Sequence, residues 1–203
     1  MSKKLIQSII SVLLDNPVSK YVKKNKFSEK KLNVSEHPAD KRDWVHVSQY
    51  LKSESISGKE FSRRLLCVSV ANQGSIGSCV GHSGRVVLGS ASAFKAEEPS
   101  PMWIYKTAKK YDPWAGEDYS GTSIRGAANA LINEGCCFES FWPYIASESS
   151  SPKEGAKEDA GLKKMSSDNV IHCSETEDIK RMLIDRPLWY AFKVRDYFSS
   201  IGY

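Results

Sequence analysis

No Cys-x-x-Cys pair occurs among the five cysteines, no apolar run approaches the ~18 residues that a membrane span requires, and histidine appears only four times in 203 residues. Without a Cys-x-x-Cys, the usual structural zinc arrangement has no frame, even though His172 sits beside Cys173. The cysteines, at 67, 79, 136, 137 and 173, are odd in number, which fits a reducing compartment or one deliberately free thiol. No small-x-small cleavage site follows the apolar stretch of MSKKLIQSIISVLLDNPVSK, so this segment reads as an amphipathic helix with Leu5, Ile9, Ile10 and Leu13 on one side. No internal repeat is visible.

Net charge is also scarce outside one place. The formal net charge is +5, but the first 31 residues hold eight lysines against Asp15 and Glu29, or +6, so the remainder sums to −1. A basic tail without a recognised reader motif is a solvated tail, and no nucleic-acid partner is expected. What is present is a globular composition, 40% apolar, long enough for one large domain or two small lobes.

Residues 1–41 are lysine-rich and weakly patterned, and SQYLKSESISGKE (48–60) is loop-like. The dense part begins near Arg64. CVGHSGRVVLGSASAFKA, from Cys79, has the small residues of a buried helix that packs close to neighbouring backbone. Ser100 and Pro101 supply an N-cap and first-turn proline for PMWIYKTAKKY. In TSIRGAANALINEG, Thr122 or Ser123 can cap a helix that Gly135 ends. The Ser, Glu, Lys and Gly of 147–169 predict a long exposed connection between lobes. Beyond it VIHC reads as a strand, Ser174 with Glu177 as a capping box for ETEDIKRMLID, and LWYAFKV as a strand after Pro187. Helices first and strands later make an α+β order rather than an alternating one.

The stretch NQGSIGSCVGHS (72–83) asks for chemistry. A thiol reacts as the thiolate, and the N-terminus of a helix favours that anion through unpaired N–H groups and the macrodipole. The glycines let the backbone turn sharply and approach a substrate, and the Gln73 amide can reach an oxyanion alongside the Cys79 backbone N–H. Taken alone, the pattern fits a small buried thiol better than a nucleophile, and a phosphate loop is excluded because no G-K-[ST] follows.

NQGSIGSC resembles the nucleophile segment of the papain-like cysteine peptidases, with the glutamine six residues before the cysteine. SPMWIYKTAKKY, GTSIRGAANALINEGCCFESFWPY and ETEDIKRMLIDRPLWYAFKVRDYF resemble further segments of that family in the same order, spread with the first from residue 72 to residue 198. The resemblance implies an α+β papain-like two-lobe fold, with a helical lobe carrying the nucleophile helix and a β-rich second lobe. It divides the chain into a basic segment at 1–41, a pro-segment or extension, and a peptidase domain at 42–203. It implies a peptidase acting on peptide or protein substrates through an acyl-enzyme, without cofactor or metal. Cys79 would be the nucleophile, Gln73 the oxyanion donor, Gly121 the cleft residue pairing with an extended peptide, and Ser123 a residue at the mouth of the second specificity subsite. Ile76 stands where secreted members have a bridging cysteine and Val80 where they have an aromatic. A less decorated, cytoplasmic rather than secreted branch is expected, with Cys67, Cys136, Cys137 and Cys173 free and buried.

The mechanism needs a histidine and an Asn or Asp to orient it. His82 lies one turn beyond Cys79 on the same helix and should point to the helix flank; His172 matches no family position; His37 and His46 precede the domain. Family spacing puts the histidine and asparagine roughly 130–150 residues after the nucleophile, about position 209 to 229. The expectation is therefore an incomplete second lobe lacking that half of the site, or else a non-catalytic papain-like module that binds peptides or a partner in the same cleft.

Overall fold

The computed structural model describes Val34, Ser35, Pro38 and residues 67–166 and 176–192, all within one compact unit, Lys30–Lys193. The expected N-terminal amphipathic helix, the loop at 48–60, the VIHC strand, the Ser174 cap, His37, His46, His172 and Cys173 lie outside the described residues. Among the described residues five helices follow in order: α1 Cys79–Gly89, α2 Pro101–Lys109, α3 Ile124–Asn133, α4 Ala156–Gly161 and α5 Thr176–Asp185, with one 3-10 turn, Ser92–Phe94, after α1.

The centre of the lobe is α2. Met102, Ile104, Tyr105 and Ala108 are fully buried and Trp103 nearly so, the all-round burial of a helix enclosed by neighbours. Its start is set locally. Pro101 occupies the first turn, where its missing N–H costs nothing, and the Ser100 hydroxyl accepts from Trp103 N at 3.1 Å while donating to Trp142 O at 2.7 Å. Helices α1 and α3 both pack on α2. A Cβ added at Gly81 would stand 2.2 Å from Pro101 O, so α1 crosses α2 at backbone contact. Of the two candidate caps for α3, Ser123 is used, accepting from Gly126 N at 2.8 Å.

Three expectations need correction. The helix from Cys79 ends at Gly89, because Ser90 closes the turn and the chain tightens into the 3-10 turn instead of continuing to Ala96. The stretch 147–169 is not a plain exposed connection. It contains α4, whose Ala156 and Ala160 are 2% and 0% exposed, and a Cβ at Gly135 would stand 2.0 Å from Ala160 O. Two alanines four apart bury one narrow stripe while the rest of the segment stays polar. Residues 188–192 form no strand ladder. Trp189 instead reaches α1, its indole N–H donating to Ser83 Oγ at 2.7 Å.

Among the described residues the only strand pairing is two isolated bridges, Val34 with Thr122 (parallel) and Pro99 with Phe138 (antiparallel). The lobe is helical, and the β-rich second lobe is not part of what is described. Cys136 and Cys137 are buried free thiols, as expected, whereas Cys67 is exposed, the next residue, Val68, being the one that packs against Gly89 at the end of α1.

Candidate active site

Residues 73–78 form a tight loop that delivers Cys79 as the first residue of α1. Gln73 Nε2 donates to Ile76 O at 3.3 Å, Ser78 N donates to the same carbonyl at 2.9 Å, and Gly74 N donates to Asn72 Oδ1 at 3.1 Å. Ile76, 8% exposed, fills the core under the loop, in the position where the resemblance would place a bridging cysteine in secreted relatives. Cys79 is half-buried and packs against the core from its edge.

Ser78 precedes α1 but makes no side-chain cap. Its hydroxyl is instead shared with Tyr144 Oη at 2.8 Å and His82 Nδ1 at 3.3 Å. The first-turn N–H groups of α1 therefore receive no side-chain oxygen from Ser78, and the positive end of the helix is left to groups beside Cys79. His82 Nδ1 also lies 3.1 Å from Ser78 O, and its ring meets Tyr144 edge-on with centroids 4.4 Å apart.

The second wall of the site is Gly121. Its φ of +92° is in the left-handed region, where a side chain would be strained, and a Cβ at Gly77 would stand 2.7 Å from Gly121 N and 2.6 Å from Ser120 Oγ. Two glycines thus bring the 73–78 loop and the 120–122 loop into backbone contact. Gly121 N donates to Tyr105 Oη at 3.4 Å, and Tyr105 donates to Glu148 Oε1 at 2.8 Å. Burial, then the Glu148 bond, push the Tyr105 phenol up and keep its proton in place. Burial alone would raise Glu148, but donors from Lys106 (Nζ 2.6 Å) and Tyr105, with the charge of Lys109 3.8 Å away, outweigh it and hold the carboxyl below its ordinary range. Lys109, nearly sealed inside, donates to Glu117 O at 3.1 Å and Tyr119 O at 2.5 Å, which ties down the loop leading to Gly121.

The four residues singled out in the sequence are distributed as follows. Cys79, Gln73 and Gly121 lie on the two loops joined at Gly77. Ser123 is 1% exposed, and its hydroxyl is committed to Gly126 N and to Asp112 Oδ1 at 2.5 Å. Ser123 thus fixes the turn after Gly121 and is not an exposed group. Tyr105, Glu148 and Tyr144 were not assigned from sequence. Tyr144 stood in the quoted FWPY turn, and a tyrosine held just after a proline was the one available signal. Among the described residues no cluster of His, Cys, Asp and Glu is arranged to hold a metal, and no helix is long and apolar enough to cross a membrane.

No family model and no curated protein matches the chain. Among solved structures, the crystal structure of xylellain, a cysteine protease from Xylella fastidiosa, is similar at 24% identity with a TM-score of 0.43, over 49% of this chain and 43% of that one. The similarity thus spans less than half the length of that protease.

Proposed function

We propose that this chain is a cysteine-type peptidase of the papain-like kind, with Cys79 as its nucleophile. The observation that supports the reading is the contact of Gly77 with Gly121, which brings the loop between Gln73 and the N-terminus of α1 against a left-handed glycine. The Cys79 thiolate forms a bond to the carbonyl carbon of an extended peptide, and the carbonyl π pair moves onto oxygen. The Cys79 backbone N–H and the Gln73 amide stabilise that oxyanion. Its collapse expels the amine with a proton and leaves an acyl-enzyme, which water hydrolyses. Gly121 pairs its backbone with the substrate, while Ser123 and Tyr105 hold its loop. The imidazole that moves the protons is assigned to none of His37, His46, His82 and His172. The 203 residues alone are therefore expected to acylate on an activated substrate more readily than to turn over peptides.

A second reading, a non-catalytic module that binds peptides in this cleft, is favoured by the Gln73 amide bond to Ile76 O, which draws an oxyanion donor back into its own loop. A peptidyl p-nitrophenyl ester separates the two, because its leaving group departs without a proton donor. The peptidase reading expects one equivalent of p-nitrophenol released in a burst, abolished by Cys79→Ala and slowed roughly 10²–10³-fold by Gln73→Ala. Peptide binding with no burst, equal in the unsubstituted protein and Cys79→Ala, would establish the binding module instead.

A further inference from the structure

We propose that the Tyr144 hydroxyl is the positioning group of the oxyanion loop, holding Gln73 at a fixed separation from the start of α1 by binding both ends of the loop between them. The inference rests on the peptidase reading and names the group that keeps its two oxyanion donors in register.

The bonding pattern has one direction. Tyr144 Oη donates to Gln73 O, and a carbonyl can only accept, so the phenol proton is spent there. The 2.8 Å contact between Tyr144 Oη and Ser78 Oγ must then carry the Ser78 proton toward Tyr144. With that proton used, Ser78 Oγ is an acceptor toward His82 Nδ1 at 3.3 Å, and Ser78 O, 3.1 Å from the same nitrogen, is an acceptor as well. His82 therefore carries its proton on Nδ1. The chain runs His82 to Ser78 to Tyr144 to Gln73, each group donating to the next, and chained bonds of one sense reinforce each other.

The tyrosine is itself anchored independently of its hydroxyl. Its backbone N–H donates to Glu139 Oε1 at 2.7 Å, and its ring lies edge-on to His82 at 84°. Burial raises its pKa, so the phenol remains a donor at neutral pH. It is 71 residues from Gln73 and 66 from Ser78, a tertiary strut added to the local bonds that Gln73 and Ser78 make to Ile76 O. Tyr144 acts through Gln73 and Ser78 and makes no contact with the reacting atoms in this scheme. A displacement of the donors by about 1 Å can cost on the order of 10²-fold in rate.

The test compares two probes of Cys79 in the full chain. A peptidyl aldehyde takes the Cys79 sulfur at its carbonyl carbon; the S–C bond forms, the π pair moves to oxygen, and the thiol proton ends on that oxygen, which sits where the donors point. Iodoacetamide alkylates the sulfur with loss of iodide and builds no oxyanion. Tyr144→Phe removes only the hydroxyl. The expected result is a loss of aldehyde affinity of about 10-fold or more with the iodoacetamide rate changed less than about 2-fold. Ser78→Ala, which cuts the chain from His82 but keeps the Tyr144 bond to Gln73, should show a smaller loss of the same kind, and it carries the test if Tyr144→Phe does not fold. Equal aldehyde affinity in the variants and the unsubstituted protein, or parallel losses with both probes, overturns the proposal and leaves the peptidase reading standing. No aldehyde adduct in the unsubstituted protein overturns that reading and this proposal with it.

Discussion

Gly77 touches the backbone of Gly121 so closely that a methyl group added at residue 77 would stand 2.7 Å from the Gly121 nitrogen. Real Cβ contacts are not that short, and the obstruction is backbone, which cannot rotate away. Gly77→Ala should therefore cost about 1–3 kcal/mol and separate the two loops. Gly161, at the end of α4 with nothing within 4 Å of an added Cβ, is the control: alanine there should leave stability unchanged or raise it by about 0.5–1 kcal/mol. Thermal unfolding of both variants, together with the p-nitrophenol burst, checks this. A Gly77→Ala protein that is as stable as its parent and equally reactive would mean that the loops do not depend on the contact.

The buried thiols should stay silent. Burial, with the Asp159 carboxylate adding to it, pushes Cys137 up to about 12, and complete burial pushes Cys136 well up in the same direction. At pH 8 both are protonated and out of reach of solvent. Alkylation of the native protein followed by peptide mapping should leave Cys136 and Cys137 unmodified until denaturant is added. Labelling of either in the native state would contradict the packing of α2 against the 136–138 segment.

Glu148 predicts how the site responds to acid. Its folded-state pKa is depressed, the donors from Lys106 and Tyr105 prevailing over burial, so its contribution to stability is present above the ordinary carboxylate pKa and lost as pH falls through the folded value. The bond from Gly121 N to Tyr105 is supported from the same carboxylate. Glu148→Gln should lower stability at pH 7 and flatten its decline between neutral and acid pH. Denaturant midpoints measured across that range would show parallel curves for variant and parent if Glu148 were not coupled to folding.

What could be read from the sequence was what local chemistry decides. Ser100 with Pro101, and Ser123 before a small-residue helix, are caps whose partners lie three residues away, so their roles follow from the residues themselves. The Gln73-to-Cys79 spacing was likewise visible as a local motif. Ala156 and Ala160 were not, because two alanines among Ser, Glu, Lys and Gly give no periodic signal, and only Gly135 on another segment shows what they bury against. LWYAFKV has the composition of a strand, but Trp189 finds its place over Gly84 and Ser83 on α1, a tertiary contact that overrides propensity. The contact of Gly77 with Gly121 and the Tyr144 strut join residues 44 to 71 positions apart, and no pattern within either segment announces the other.

The central claim is that Cys79 is a nucleophile set in a peptide-binding cleft, and the most direct measurement is the site of reaction with a peptidyl chloromethyl ketone. The native chain, incubated with a small excess of reagent at neutral pH, is weighed intact and then mapped peptide by peptide. The account predicts a single adduct, on Cys79, forming much faster than with chloroacetamide and slowed by an unreactive peptide of the same sequence. An adduct spread over the other cysteines, or a Cys79 that reacts no faster with the peptidyl reagent than with chloroacetamide, would contradict it.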